Sequence, residues 1–173
     1  MTIEPEDMVA DIVAAAAGGR IVSRVRLQKI FYLLDKLNAN SGFSFSYYHY
    51  GPYSRDLDTA VLDAKAFDKV TETFGERASD GARYSIFETK SQHVGHHFTF
   101  LTEDRLQKKA RSLAGTDVTV LELAATAHWL KMEERVTDWK SEIVKRKGAK
   151  ARADRLHAAT CLLGELGLEP AST

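Results

Sequence analysis

The stretch SRVRLQKIFYLLDKLN, residues 23–38, decides how the rest of the chain is read. Ser23 is a good N-cap, because its hydroxyl oxygen can accept from an otherwise unpaired N–H of the first helical turn. Leu27, Ile30, Phe31, Leu34 and Leu37 then recur at helical spacing, while Gln28, Lys29, Asp35 and Lys36 fall on other faces. The pattern predicts an amphipathic helix from Ser23 to about Asn38, with its apolar stripe in a core.

Upstream, Pro5 to Ala17 reads as a first helix. Proline suits the first helical position, Glu6 and Asp7 suit the positive end, and Gly18-Gly19 stops it. The apolar run Val9 to Ala17 is far short of the ~20 residues of a membrane span. Acidic residues precede it, where a signal peptide would carry a basic flank. Downstream, Asn38 to Gly42 is a turn, and Phe43 to Tyr50 alternates aromatics with serines as a short strand would. Gly51-Pro52 is expected to break that strand, and Ser54 to cap a third helix reaching about Ala66, with Asp56 and Asp58 at its positive end. Val70 to Glu76 and Arg83 to Thr89 favour extended structure around the turn formers of residues 77–81, and so predict a β-hairpin. From Thr102 onward the pattern is helical, over about 103–113, 119–135, 138–147 and 151–166. Thr119 and Glu122 have the spacing of a capping box.

Helix, helix, short strand, helix, hairpin is the order of a winged helix. The expected fold is therefore a mainly helical α+β single domain, residues 1–173. Residues 1–100 form a winged-helix-like half with three helices, a short strand and a β-hairpin, and residues 101–173 form a helical layer packed on it. Phe100-Leu101-Thr102-Glu103 reads as the wing returning to the core.

Composition narrows the function. Lysine plus arginine equals aspartate plus glutamate, 24 against 24, whereas a dedicated nucleic-acid binder usually carries a positive excess. The charge is segregated, however. Residues 1–19 hold Glu4, Glu6, Asp7 and Asp11 and no lysine or arginine. Residues 140–155 hold Lys140, Lys145, Arg146, Lys147, Lys150, Arg152 and Arg155 against only Glu142 and Asp154. Cys161 is the single cysteine, which excludes an intrachain disulfide and fits a reducing cytosol; a cytoplasmic location with no membrane partner is expected. Its neighbours Leu156, Ala159, Leu163 and Leu166 place it on an apolar stripe, where a small buried thiol is the ordinary reading.

Catalytic signatures are missing. The chain has no glycine-rich phosphate loop, no nucleophile elbow and no paired metal motif, so a non-catalytic protein without a cofactor is expected. His93, His96 and His97 cluster beside the hairpin exit without further ligands at metal spacing, and no metal is expected there. His128, beside Trp129, reads as a helix-interface histidine rather than a pocket base.

The densest recognition signal is Tyr47-Tyr48-His49-Tyr50-Gly51-Pro52-Tyr53-Ser54-Arg55-Asp56. Tyrosine offers contact area at low entropy cost, so such a cluster suits macromolecular recognition. Tyr47, His49, Tyr53, Arg55 and Asp56 are the candidate partner-binding residues. The alternative for this strand is that every second side chain is core and Gly-Pro a corner.

Taken together, Arg26-Leu27-Gln28-Lys29-Ile30-Phe31-Tyr32-Leu33-Leu34 and Tyr48-His49-Tyr50-Gly51-Pro52-Tyr53-Ser54-Arg55-Asp56-Leu57 resemble the Panacea-type, SocA-like antitoxin domain family, in particular its YwgA-like bacterial branch. That family pairs a helix of the form LQK-hydrophobic-YLL with a YGP turn before the next helix. The resemblance covers residues 20 to 66. It implies a domain that neutralises a toxin by contact, or hands a substrate to a protease, with no established catalytic chemistry. Many members continue YGPV, whereas this chain continues Tyr53-Ser54-Arg55-Asp56, a departure that leaves two readings, a different partner or no toxin at all.

The competing reading is a DNA- or RNA-binding regulator. The helix that would enter a groove carries Arg55, Lys65 and Lys69 against Asp56, Asp58, Asp63 and Asp68, a net acidic surface ill suited to phosphates. The remaining nucleic-acid candidates are Lys140, Lys145, Arg146, Lys147, Lys150 and Arg152. Their bland counterpart is a solvated helix face.

Overall fold

Ser23 does cap the central helix, and it adopts an uncommon backbone conformation to do so. Its φ is +87°, and its Oγ accepts from the N–H of Arg26 at 3.4 Å. The computed structural model describes residues 2–89 and 95–169. In chain order the α-helices are α1 (Pro5–Ala15), α2 (Arg24–Lys36), α3 (Arg55–Ala66), α4 (Asp104–Ala114), α5 (Val118–Met132), α6 (Trp139–Lys147) and α7 (Ala153–Leu166). The strands are β1 (Arg20–Val22), β2 (Ser46–Tyr48), β3 (Gly51–Tyr53), β4 (Val70–Glu76) and β5 (Arg83–Thr89). The fold is mainly helical α+β, with strands confined to two small antiparallel sheets.

Helix α2 is enclosed by α5, α4, β1 and β3. Leu27, Ile30, Phe31 and Leu34 are buried as their spacing requires, but so are Gln28, Lys29, Tyr32 and Leu33. The helix is thus a core helix rather than an amphipathic one. Phe31 packs against Phe43 at 5.4 Å and Phe100 at 6.3 Å between ring centroids, which ties the chain on either side of the hairpin to α2.

Helix α1 stops at Ala15, short of the expected Ala17, and a turn through Gly18 (φ +70°) leads into β1. That strand was not expected. It pairs antiparallel with β5, Ile21 opposite Phe87, and gives a sheet of order β1-β5-β4. The β4–β5 hairpin spans the expected residues, Val70 opposite Thr89 and Glu76 opposite Arg83. The return from that sheet is held by one buried carboxylate. Asp11 Oδ2 accepts from the N–H groups of Thr99, Phe100 and Leu101 at 2.7–3.0 Å, while Oδ1 meets His96 Nε2 at 2.7 Å.

The Gly51-Pro52 corner differs from expectation. Instead of ending a strand, these residues begin β3, which folds back on β2 with Tyr48 opposite Gly51 and Tyr47 opposite Pro52. Gly51 takes φ +91°, and proline is tolerated because a two-stranded ribbon is all edge and demands no N–H at that position. Ser54 then caps α3, its Oγ accepting from Leu57 N–H at 3.3 Å.

In the helical layer, α5 is capped by Asp117 (Oδ1 to Thr119 N–H at 2.9 Å and to Val120 N–H at 3.1 Å), not by Thr119. Glu122 is therefore free of the capping box and turns inward. Helix α7 packs on α5, which also packs on α2. Cys161 is exposed rather than buried, its Sγ 3.5 Å from His157 Nε2, because the buried stripe of α7 runs through Ala159, Leu162, Leu163 and Leu166. Among the described residues, no helix is long and apolar enough to cross a membrane.

Candidate functional site

The two sequence segments that stand out, residues 26–34 and 48–57, meet in space. The buried amide of Gln28 pairs with the backbone of Ser54 as a neighbouring strand would. Its Nε2 donates to Ser54 O and its Oε1 accepts from Ser54 N–H, both at 2.9 Å. The same Nε2 reaches Asp58 Oδ1 at 3.1 Å. One residue on, Lys29 Nζ donates to Pro52 O at 2.6 Å. Consecutive side chains of α2 thus hold consecutive parts of the Gly-Pro-Tyr-Ser segment, where buried backbone groups would otherwise lack partners.

A second lysine also holds the hairpin backbone. Lys147 Nζ, from α6, donates to His49 O at 3.3 Å and to Glu122 Oε1 at 2.8 Å, while Lys150 meets Glu122 Oε2 at 3.3 Å. The Lys147 and Glu122 side chains are 4% and 5% exposed, so this is a buried ion pair whose charges need each other. Lys29, 1% exposed, has its pKa pulled down to about 7, chiefly by burial; Glu122 opposes that shift and Lys147 adds to it. Below the turn, a Cβ on Gly51 would lie 2.5 Å from Thr126 Oγ1, so β3 sits on α5 at a distance that only glycine allows.

What this clamp presents outward is aromatic. Tyr48 and Tyr50 are 55% and 52% exposed. His49 lies on Tyr48 at 4.4 Å, and Tyr48 on Tyr53 at 5.5 Å. The Tyr53 hydroxyl donates to Asp58, and that hydrogen bond holds the phenol above its ordinary pKa. Lys150 stands over the Tyr50 ring at 5.0 Å. Between the hairpin and the start of α2 lies a mostly apolar hollow of about 230 Å³, lined among others by Gln28, Lys29, Tyr48, Tyr50, Tyr53 and Asp58.

The five candidate partner-binding residues do not share one face. His49 and Tyr53 join Tyr48 on the outer side. Tyr47, one residue away and so on the opposite side of the ribbon, packs on Trp129 at 6.5 Å under the Arg146 guanidinium at 4.8 Å. Arg55 is exposed at the start of α3. Asp56 is turned towards the 40–44 loop, where it accepts from Ser44 N–H at 2.9 Å. Sequence reasoning missed Tyr50, Gln28 and Lys29. The adjacent Gln-Lys pair set between Leu27 and the apolar run Ile30–Leu34 was the signal available.

The basic stretch is largely neutralised from within. Arg146 makes a two-pronged contact to Glu134 at 2.8 and 2.9 Å and a further one to Glu142 at 2.8 Å. Lys147 and Lys150 share Glu122, and Arg152 meets Asp154 at 3.4 Å. Lys140 lies over the Trp139 ring at 5.5 Å, and Lys145 is exposed.

His128 is buried between α5 and α2, its Nδ1 2.8 Å from Tyr32 Oη. Burial and, next, the charge of Lys36 lower its pKa to about 4, and burial raises that of Tyr32. Both partners of this hydrogen bond are therefore held neutral. His93 lies outside the described residues. Among the described residues, no group of three or more histidine, cysteine, aspartate or glutamate side chains could hold a metal ion.

A scan of the chain against protein-family models finds no match, and a search of curated proteins finds none either.

Proposed function

We propose that the chain is a non-catalytic, protein-binding regulatory module, antitoxin-like or adaptor-like, that captures its partner on the outer face of the β2–β3 hairpin. The observation that carries this reading is the clamp. Gln28, Lys29 and Lys147 satisfy the hairpin backbone from beneath, so that Tyr48, His49, Tyr50 and Tyr53 are offered on a rigid ribbon beside a hollow. Pre-ordered aromatics next to a pocket are how protein interfaces concentrate affinity in a few residues. The resemblance to the Panacea-type family supports the same reading, because the residues that carry it are the clamp and the ribbon. In this proposal residues 1–100 act as a winged-helix-type platform whose hairpin ribbon, rather than its third helix, is the reading surface, in a bacterial cytoplasm.

The nucleic-acid alternative loses support where its cations are already paired with Glu122, Glu134, Glu142 and Asp154. The test is capture by tagged protein from nuclease-treated host lysate. Tyr48→Ala with Tyr50→Ala should melt like wild type, because both rings are exposed, yet recover at least tenfold less of the specific partner. Equal recovery by wild type and the double variant would remove this surface, and binding lost on nuclease treatment would favour the alternative.

A further inference from the structure

A second hollow adjoins the first and differs from it in chemistry. It measures about 370 Å³ and is lined among others by Tyr50, Arg83, Tyr84, Glu122 and Lys150. Tyr50 and Val25 belong to the walls of both hollows, so the two are compartments of one groove, divided by the Tyr50 ring. The first compartment is walled by tyrosine rings and Val25, with the polar atoms of Gln28 and Lys29 turned to the backbone of Ser54 and Pro52, and with its two other charged residues already paired, Arg24 with Glu72 and Asp58 with Tyr53 and Gln28. The second is polar and its charges sum to a positive value. Glu122 is one carboxylate between two lysines, Lys147 and Lys150, and Lys150 remains 46% exposed. Arg83 adds a guanidinium that lies over the Phe74 ring at 4.4 Å, whereas Arg77 is neutralised by Asp80.

We infer that this groove docks an acidic peptide segment of a partner protein, one large apolar side chain entering the compartment over Gln28 and Lys29 while a neighbouring carboxylate meets Lys150 and Arg83. The inference rests on the protein-binding reading above and gives the partner its chemistry. Charge complementarity selects the acid, since an anion entering beside Tyr50 finds uncompensated positive charge and a basic segment would meet repulsion. The apolar compartment supplies the anchor, which is desolvated by entering it. A nucleic-acid strand fits less well: phosphates would have to follow a path on which Glu122, Asp58 and Asp80 interrupt the cations, and a peptide needs only one such contact.

The test uses the full chain and a phage library displaying random nonapeptides. Wild type should enrich sequences that pair Leu, Phe or Trp with a nearby Asp or Glu. For a synthetic peptide of the enriched sequence, Tyr50→Ala should weaken binding at least tenfold. Arg83→Glu, at an exposed hairpin position, should weaken it similarly and shift the library selection towards Lys and Arg. Arg83→Glu combined with Lys150→Glu should deepen both effects, with circular dichroism checking the fold. Peptides that need Tyr50 but show no acidic preference, or are indifferent to Arg83→Glu, would overturn the acidic partner while leaving the protein-binding reading intact. Enrichment that is the same for wild type and Tyr50→Ala would overturn both. Tighter binding to single-stranded oligothymidylate or oligouridylate than to any enriched peptide, lost in the same variants, would also overturn both and assign the groove to nucleic acid.

Discussion

Replacing Gly51 by alanine probes the contact on which the ribbon's position depends. The added methyl would sit 2.5 Å from Thr126 Oγ1, inside any van der Waals distance, and the residue must hold φ +91°. Left-handed backbone at a non-glycine residue costs about 1–2 kcal/mol, and forcing an extra methyl into a packed site costs about 1–3 kcal/mol. Gly51→Ala should therefore destabilise the fold by roughly 2–5 kcal/mol. The two parts can be separated. Thr126 Oγ1 is buried without a hydrogen-bond partner among the described residues, so Thr126→Ala sacrifices no bond and should cost only about 1 kcal/mol for the small void. In the double variant the clash disappears and the backbone strain stays, so the pair should be less destabilised than the sum by about 1–3 kcal/mol. Thr126→Val returns an atom to the position of Oγ1 and should not rescue. Urea denaturation at constant m-value measures all four variants. A double-mutant cycle that closes within about 0.5 kcal/mol would refute the contact, as would a Gly51→Ala protein as stable as wild type.

Three further outcomes follow from buried polar groups. His128 has a folded pKa of about 4 against an ordinary 6.5, so the unfolded chain takes up the proton first as pH falls. Stability should then drop between pH 6.5 and 4, by at most about 3 kcal/mol, and level off below that, and a His128→Gln variant should show a flatter profile over that range in denaturant titrations. Lys29 acts in the same sense at higher pH, with a folded pKa of about 7 against 10.5 unfolded. Its burial penalty is full below pH 7 and is relieved as pH rises through 7 towards 10.5, so stability should climb by up to about 1.4 kcal/mol per pH unit in that window and lose this climb in Lys29→Met. Asp11→Ala removes the single acceptor of three backbone N–H groups and of His96; a loss of about 3 kcal/mol or more is expected, read by thermal and urea unfolding.

Local chemistry was legible without the structure. Caps at Ser23, Ser54 and Asp138 mark helix starts because the side chain that accepts lies within three residues of the N–H it satisfies. The β4–β5 hairpin was legible for a related reason: its strands are neighbours along the chain and their turn is short. The tyrosine-rich segment was also conspicuous in the sequence, since such a cluster needs no neighbours to be seen. Sequence reasoning failed wherever a polar residue answered to a distant partner. Gln28 and Lys29 looked like solvent-facing interruptions of an apolar helix, Glu122 like half of a capping box, and Lys147 and Arg146 like free cations. Each instead faces a group 12 to 26 residues away. Cys161 erred in the opposite sense, because the face of α7 that is covered runs through Ala159, Leu162, Leu163 and Leu166 and leaves Cys161 outside it.

What the sequence determined by itself, then, is a mainly helical α+β chain with most of its helix starts, one hairpin and a cluster of tyrosines, all set by interactions across a few residues. Only the tertiary structure decided that Gly51-Pro52 opens a strand instead of closing one, and that Tyr47 faces inward while Tyr48 and Tyr50 face out. It alone showed that the two conspicuous segments are a clamp and the ribbon it holds. The reason is physical: a buried amide, ammonium or carboxylate must find a partner somewhere, and the packing of helices decides where that partner stands.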